Sequence, residues 1–379
     1  MKKRKVLLVA TVVKIHVNVF HIPCLKMFQE QGWETWVCSR NDYDNPKECV
    51  IPYCDHYVDI PFERNPLKPG NVKAYKMLRE IIEKEQFDLI YCHTPVGAML
   101  ARLAGISARK KGTKVIYMAH GFHFYNGAPL LNWMIYYPAE KFLSRFTDGL
   151  ITINQEDYRR AQKFHAGKTI LIPGVGIDLD KFQKKEPTRQ EIRNKLGIPE
   201  SKIILMSVGE LTKRKNHMVM IEALARLKEY DILYVICGDG PLKAQLRAKA
   251  EELGVRDRLK LLGFRKDIAE LHKMADIFVF PSLQEGLPVA LMEAMASGLP
   301  IVASKIRGNE DLISNNQGGY LVSPTDSEQV AKAIEKMIQN PKKRKKMEER
   351  NLEIITKYGQ ETVLQKMDEF FDEIVGGVC

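Results

Sequence analysis

The sequence predicts an α/β protein made of two doubly wound, Rossmann-like domains. Short apolar runs alternate with helical patterns from one end of the chain to the other, which is the pattern of βαβ units building parallel sheets. A chain of 379 residues is too long for one ordinary core and fits two. The runs fall into two sets, separated by a polar, glycine-rich join.

The first set opens with 6–12, an apolar strand preceded by Met-Lys-Lys-Arg-Lys. That start mimics a signal peptide, but Lys14 and His16 break the apolar run and no small-residue cleavage site follows, so the chain is expected to stay in the cytoplasm. His21 and Pro23 begin the first helix. Strands follow at 34–39, 88–93, 114–120, 150–154 and 169–173. The join lies around Gly174-Val-Gly-Ile-Asp-Leu-Asp180 and runs on to Arg189, giving domains of 1–178 and 179–357. The second set reads 203–209, 233–238, 259–263, 277–282, 300–304 and 320–322. A helix runs from Tyr358 to Val375 with Val363, Met367, Phe370, Phe371 and Ile374 on one face. In doubly wound folds ligands bind at the carboxyl ends of the strands, so the loops there carry the chemistry.

Composition narrows the class. Hydrophobic residues make up 45% and charged residues 28%, a globular balance, and no apolar stretch reaches the eighteen or so residues that span a bilayer. Seven cysteines show no Cys-x-x-Cys pair, and Cys49, Cys54 and His56 lack metal-ligand spacing, so reduced thiols and no metal site are expected. The formal charge of +11 comes without a nucleic-acid module, which argues against a nucleic-acid partner. The run Lys342-Lys-Arg-Lys-Lys346 reads as a solvated helix start. Arg102, Arg109, Lys110, Lys111 and Lys114 accompany the aromatic segment Leu130-Leu-Asn-Trp-Met-Ile-Tyr-Tyr137 and Lys141-Phe142, a combination suited to an anionic membrane surface.

The most informative segment is Glu285-Gly-Leu-Pro-Val-Ala-Leu-Met-Glu293. It follows the apolar run Ile277-Phe-Val-Phe-Pro-Ser282 and leads into a helix at 289–297 closed by Gly298. Glu285 is thus expected in the loop at a strand's carboxyl end, and Glu293 about one turn into the helix. A helix start offers unpaired N–H groups and a positive dipole end, a ready phosphate site. Two carboxylates flanking an anion site suit a ligand with hydroxyls on both sides of a pyrophosphate, as in a nucleotide sugar.

This spacing resembles the signature of the retaining glycosyltransferases of family 4 (glycosyl transferases group 1), which have the GT-B fold. The resemblance implies that Glu285 contacts the donor sugar and Glu293 the nucleotide ribose, with the loop residues Gly286, Leu287 and Pro288 lining the donor. The final helix is then expected to pack back on the first, acceptor-binding domain, with the donor in the cleft. The family pattern of glycine, arginine, leucine and then a lysine maps onto Gly209 and Lys215, with Lys215 holding the diphosphate. Glu210 occupies the arginine position, a departure that leaves one cation short unless Lys213 or Arg214 substitutes. Gly238 sits in another strand-to-helix turn, and Arg265 falls where relatives grip the base. In the first domain the resemblance places His120 near the donor sugar. His93 is supportive, and Lys14, His16 and His123 are candidates on the acceptor side.

The resemblance implies transfer of a hexose or N-acetylhexosamine from a nucleotide diphosphate sugar, UDP by family habit, to an acceptor hydroxyl with retention. No metal or other cofactor is expected, because Lys215, the helix dipole and backbone N–H groups can stabilise the leaving diphosphate. The run His120-Gly-Phe-His-Phe-Tyr-Asn-Gly-Ala-Pro129, with Ile172-Pro-Gly-Val-Gly-Ile-Asp178, looks most like bacterial transferases of capsule and exopolysaccharide assembly. Those act on lipid-linked saccharides, so a peripheral place on the inner face of the cytoplasmic membrane is expected. The alternatives are a sugar-nucleotide 2-epimerase on the same scaffold and a non-catalytic nucleotide-sugar-binding relative.

Overall fold

The structure is a computed structural model that describes residues 3–376. It divides into two compact units, Met1–Gly176 with Gln360–Cys379, and Ile177–Gly359. Each is an α/β unit around one parallel sheet.

The first sheet contains β1 (Lys5–Val12), β2 (Glu34–Arg40), β3 (His56–Asp59), β4 (Leu89–His93), β5 (Lys114–Ala119), β6 (Gly149–Thr152) and β7 (Lys168–Leu171). Their order is β3-β2-β1-β4-β5-β6-β7, with every neighbour parallel. Helices on both faces bury the sheet, which is why β1 and β4 are continuous apolar runs. The sequence showed six of these strands. β3 was missed because an edge strand needs no apolar run: its ends, His56 and Asp59, are exposed. The order reverses between β1 and β4, so the carboxyl ends of those strands form the switch point where such folds place ligands.

The helix Gln360–Val375 belongs to this unit. Phe371 stacks on Phe28 at 5.2 Å and meets Tyr91 edge-on at 5.0 Å. Phe370 fills the space over Gly149, where an added Cβ would come within 2.9 Å of the ring.

The second sheet contains β8 (Ile203–Val208), β9 (Ile232–Cys237), β10 (Leu259–Gly263), β11 (Ile277–Phe280), β12 (Ile301–Ser304) and β13 (Gly319–Val322). Its order is β10-β9-β8-β11-β12-β13, so the switch point lies between β8 and β11. The loops leaving those two strands begin at Gly209 and Pro281. They hold Lys215 and Glu285.

Two of the cations assigned to a basic surface have other work. Arg102 is 1% exposed, donates to Glu140 at 2.9 Å and lies 4.3 Å over the Tyr117 ring. Arg109 forks onto Asp148 at 2.7 and 2.9 Å. A buried guanidinium needs such partners, because an uncompensated charge there would cost several kcal/mol. Lys110 and Lys111 stay exposed. Among the described residues no helix is long and apolar enough to cross a membrane.

Candidate active-site residues

In the second unit the two loops at the switch point are drawn together. Lys215 donates from Nζ to Glu285 Oε1 at 2.8 Å, and its ammonium lies 4.8 Å over the Phe280 ring. Arg214 reaches the same oxygen at 2.9 Å and the Gln284 carbonyl at 3.3 Å. The loops are also tied through backbone, since the Leu283 N–H donates to the Arg214 carbonyl at 2.8 Å. Arg307, 8% exposed, donates from Nε to the Glu285 carbonyl at 3.1 Å. Glu210 points to solvent, so the second cation at Glu285 is Arg214, while Lys213 stays exposed.

What lies beneath holds these loops still. Gly209 (φ +155) packs on the lysine stem, where an added Cβ would meet Lys215 Cδ and Cε at 3.2 Å. Asn216, in the left-handed region at φ 55, donates to the Pro281 and Pro324 carbonyls and starts the helix His217–Arg226. His217 is buried with Nδ1 3.1 Å from the Tyr234 hydroxyl, which lies 2.8 Å from Ser207 Oγ. Burial, and then the nearby Lys215 charge, bring the His217 imidazole down to about 4, so it sits there neutral.

Pro288 caps the helix Val289–Ala296 in an extended conformation, and Leu287 is buried. Gly286 is packed from below by Gly308, where a Cβ would fall 2.3 Å from the Gly286 carbonyl oxygen. Arg265 pairs with Asp267 inside its own turn at 2.8 Å. Gly238 abuts Gly209.

Glu293 lies one turn into its helix, half-buried, and burial pushes its carboxyl up to about 7. The positive Lys181 pulls the other way with less effect. A carboxyl raised above its ordinary value binds protons more tightly folded than unfolded, so its contribution to stability is present in acid and is lost as pH rises through about 7. The loss amounts to about 3 kcal/mol. Glu293→Gln, which cannot ionise, should therefore gain on the wild type by about that amount between pH 4.5 and pH 8.5 in urea unfolding. An equal difference between the two proteins at both pH values would show that Glu293 is not held protonated.

The first unit gathers histidines. β1 ends at Val12 and the chain continues as a π-helical turn, Val13–Val17. That turn, a form often found at functional sites, brings His16 over the end of β4. His120, just past β5, places Nε2 3.3 Å from His93 Nδ1. The His16 ring meets His120 edge-on at 5.1 Å, and the His21 ring lies 3.8 Å from His93. Burial lowers the pKa of all four, His16 to about 4 and His120 to about 3. His21 and His93 lie well below the ordinary value, by burial first and then by the neighbouring imidazoles. His21 caps the helix Ile22–Glu30, as the sequence suggests, and is also a buried member of this cluster.

His16 and His123 also share the wall of a cavity of about 420 Å³. Val12, Ile15, Val96, Met99, Ile135 and Leu143 make it largely apolar. His123 stacks on Tyr136 at 4.6 Å, while its neighbours Phe122 and Phe124 turn inward and stack on each other at 4.7 Å. Lys14 lies outside that wall. Its N–H donates to Asp42 at 2.6 Å and its ammonium to Asp44 at 3.3 Å, so it is turned to an acidic loop and does not line the cavity.

Comparison with known proteins is consistent along the whole chain. Residues 24–181 match the family described as Glycosyltransferase Family 4, and residues 188–353 match Glycosyl transferases group 1. The Bacillus subtilis glycosyltransferase EpsD is 37% identical over 373 residues, 97% of this chain and 96% of its own length. An Escherichia coli UDP-Gal:α-D-GlcNAc-diphosphoundecaprenol α-1,3-galactosyltransferase is 31% identical over 279 residues, 70% of each chain. Among solved structures, Anabaena HepE in complex with UDP-glucose superposes with a TM-score of 0.79 at 21% identity, covering 97% of this chain and 99% of its own, which shows a common GT-B fold. The chain belongs to glycosyltransferase family 4, the glycosyl transferases group 1, and is a retaining glycosyltransferase of that family.

Proposed function

We propose that the chain moves a hexose or N-acetylhexosamine from a UDP-sugar to a lipid-linked saccharide, in the assembly of a cell-surface polysaccharide. The observation that carries this reading is the Lys215–Glu285–Arg214 constellation at the switch point of the second sheet. Two cations on one carboxylate make a group that can accept a diphosphate on the cationic side and sugar hydroxyls on the anionic side. Glu293 then takes the ribose hydroxyls. His120 is assigned to a donor-sugar hydroxyl, and His16 and His123 to the acceptor. Lys14, whose ammonium meets the exposed Asp44 at 3.3 Å, remains an acceptor-side candidate beside them.

In the transfer, the bond from the anomeric carbon to the diphosphate oxygen breaks through an oxocarbenium-like state. The acceptor oxygen bonds to the same face, and its proton leaves with the diphosphate. Negative charge grows on the leaving group, where Lys215 and Arg214 stabilise it without a metal ion. The relatives named for UDP-Gal and UDP-glucose support uridine as the base, and the diphosphoundecaprenol acceptor of the Escherichia coli enzyme supports a lipid carrier. Purified protein with EDTA, bacterial lipid extract and a panel of nucleotide sugars should yield product with one UDP-sugar, and Glu285→Ala should abolish it. Tight nucleotide binding without turnover on any lipid would overturn the acceptor assignment.

A lipid acceptor requires the enzyme to work at a membrane on the cytoplasmic side. The helix Leu130–Leu143 supports this, since Leu130, Leu131, Met134, Ile135 and Phe142 are all exposed. Arg145 lies 5.8 Å over Phe142 and Lys141 is adjacent, so basic charge accompanies the apolar face. Sedimentation with vesicles containing phosphatidylglycerol should carry down the wild type, and Leu131→Glu with Met134→Glu should remain in solution. Equal sedimentation of both would remove this face from the proposal.

A further inference from the structure

The four histidines of the first unit form an arrangement that sugar transfer does not require. One ring nitrogen from each of His16, His21, His93 and His120 lies within 4.8 Å of the other three. They come from four segments: the π-helical turn, the start of the next helix, and the ends of β4 and β5. The buried Nε2 atoms of His16, His21 and His93 have no hydrogen-bond partner. Buried polar atoms are seldom left so, and three orphaned acceptors or donors in one cluster call for a ligand. Neutral imidazole is the form that binds a metal. His21 and His93 are buried, while His16 and His120 are partly exposed.

We propose that His16, His21, His93 and His120 form a four-imidazole site for a divalent transition-metal ion, of which zinc is the representative. Zinc takes imidazole nitrogens at about 2.0–2.1 Å in a tetrahedron, which sets the ligand atoms about 3.4 Å apart. The cluster needs only a modest contraction to reach that spacing. An all-nitrogen set selects zinc, cobalt, nickel or copper and gives magnesium and calcium, which prefer oxygen, little to bind. The ion would not serve the departing diphosphate. It would instead withdraw His120 and His16 from the sugar and the acceptor, so occupancy inhibits transfer. This inhibitory consequence rests on the function proposed above; the binding site does not.

The test is metal binding by the full-length chain after chelator treatment. With cobalt(II), the protein should take up one ion and show the intense visible absorption of tetrahedral coordination, displaced by one equivalent of zinc and not by millimolar magnesium. His21→Gln removes a ligand given no part in the proposed transfer, and His93→Gln removes one that lies 3.3 Å from His120, so both variants are read by metal binding rather than by turnover. Each should weaken zinc binding by at least about 100-fold, since loss of a direct ligand exceeds the effect of losing an outer-shell partner. If one variant does not fold, the other carries the comparison, and the wild-type spectrum needs neither. No stoichiometric ion, a weak octahedral spectrum, or unchanged affinity in a folded variant would overturn the site. Zinc should also suppress turnover of the wild type, with EDTA restoring it. Zinc binding without loss of turnover would overturn the inhibitory role and leave the site standing.

Discussion

Lys215→Ala should lower kcat by about 10² to 10³-fold, the cost of removing one preorganised charge from the place where negative charge develops. The ammonium is fixed by three contacts that do not depend on substrate: Glu285 at 2.8 Å, the Phe280 ring at 4.8 Å, and the bare backbone of Gly209 against its stem. A lysine so held loses little freedom when the donor arrives, and its stabilisation falls mainly on the transition state. The substitution also does a second harm. It leaves Glu285 facing the diphosphate with Arg214 alone, and Arg214 is 44% exposed and more easily screened by salt. The deficit should therefore appear chiefly in kcat, measured as product formed at saturating donor, with UDP affinity by calorimetry reduced less. Lys215→Arg keeps the charge but must fit a larger head where Gly209 leaves room only for the lysine stem, so it should fall between the two. A Lys215→Ala enzyme within threefold of the wild type would remove the lysine from the reaction.

The sequence made the second unit legible because its chemistry is local. Glu285, Gly286, Leu287 and Pro288 follow one strand directly, and Lys215 lies six residues past the glycine that ends another. Strand, turn and helix start dictate where such residues go, and parallel pairing of β8 with β11 brings the two loops together. The contribution of Arg214 was visible only as a possibility, since Glu210 at the expected arginine position said that something else must supply the charge. Arg307 gave no signal, because its role is to hold a backbone carbonyl from a different loop. The histidine cluster was unreadable for the same reason. His16, His21, His93 and His120 have no common spacing, and they meet only because β1, β4 and β5 lie side by side. Two of them were visible as candidates for sugar and acceptor contact, but sequence spacing could not bring four onto one point. The strand β3 escaped because its pattern is that of a solvated edge, and Arg102 passed for a surface cation because its partner, Glu140, lies 38 residues away.

Gly238→Ala should unfold or badly loosen the second unit, with a loss of more than about 4 kcal/mol and of UDP binding together. The reason is an interlock between two strand ends. An alanine Cβ at position 238 would lie 1.9 Å from the Gly209 carbonyl oxygen and 2.7 Å from its carbon, and the backbone there sits at φ +157. Neither atom is the end of a flexible side chain, so one strand end must move. Both are committed: the Gly209 N–H donates to the Cys237 carbonyl at 3.0 Å, and the Gly238 N–H donates to the Gly263 carbonyl at 2.8 Å. Beyond them the Leu211 N–H donates to the Asp239 carbonyl at 3.0 Å, tying the loop that carries Lys215 to the loop after β9. Displacing Gly209 therefore displaces the lysine, and stability and nucleotide affinity should fall in step. Gly254→Ala supplies the control. Gly254 also has a positive φ, +66, but nothing lies within 4 Å of its missing Cβ. It should cost only the left-handed backbone penalty of about 1–2 kcal/mol and leave UDP binding intact. Urea unfolding and UDP calorimetry on the two variants separate steric contact from backbone strain. A stable Gly238→Ala protein that still bound UDP would mean that Gly209 can yield without carrying Lys215 with it, and the lysine would then owe its place to Glu285 and Phe280 alone.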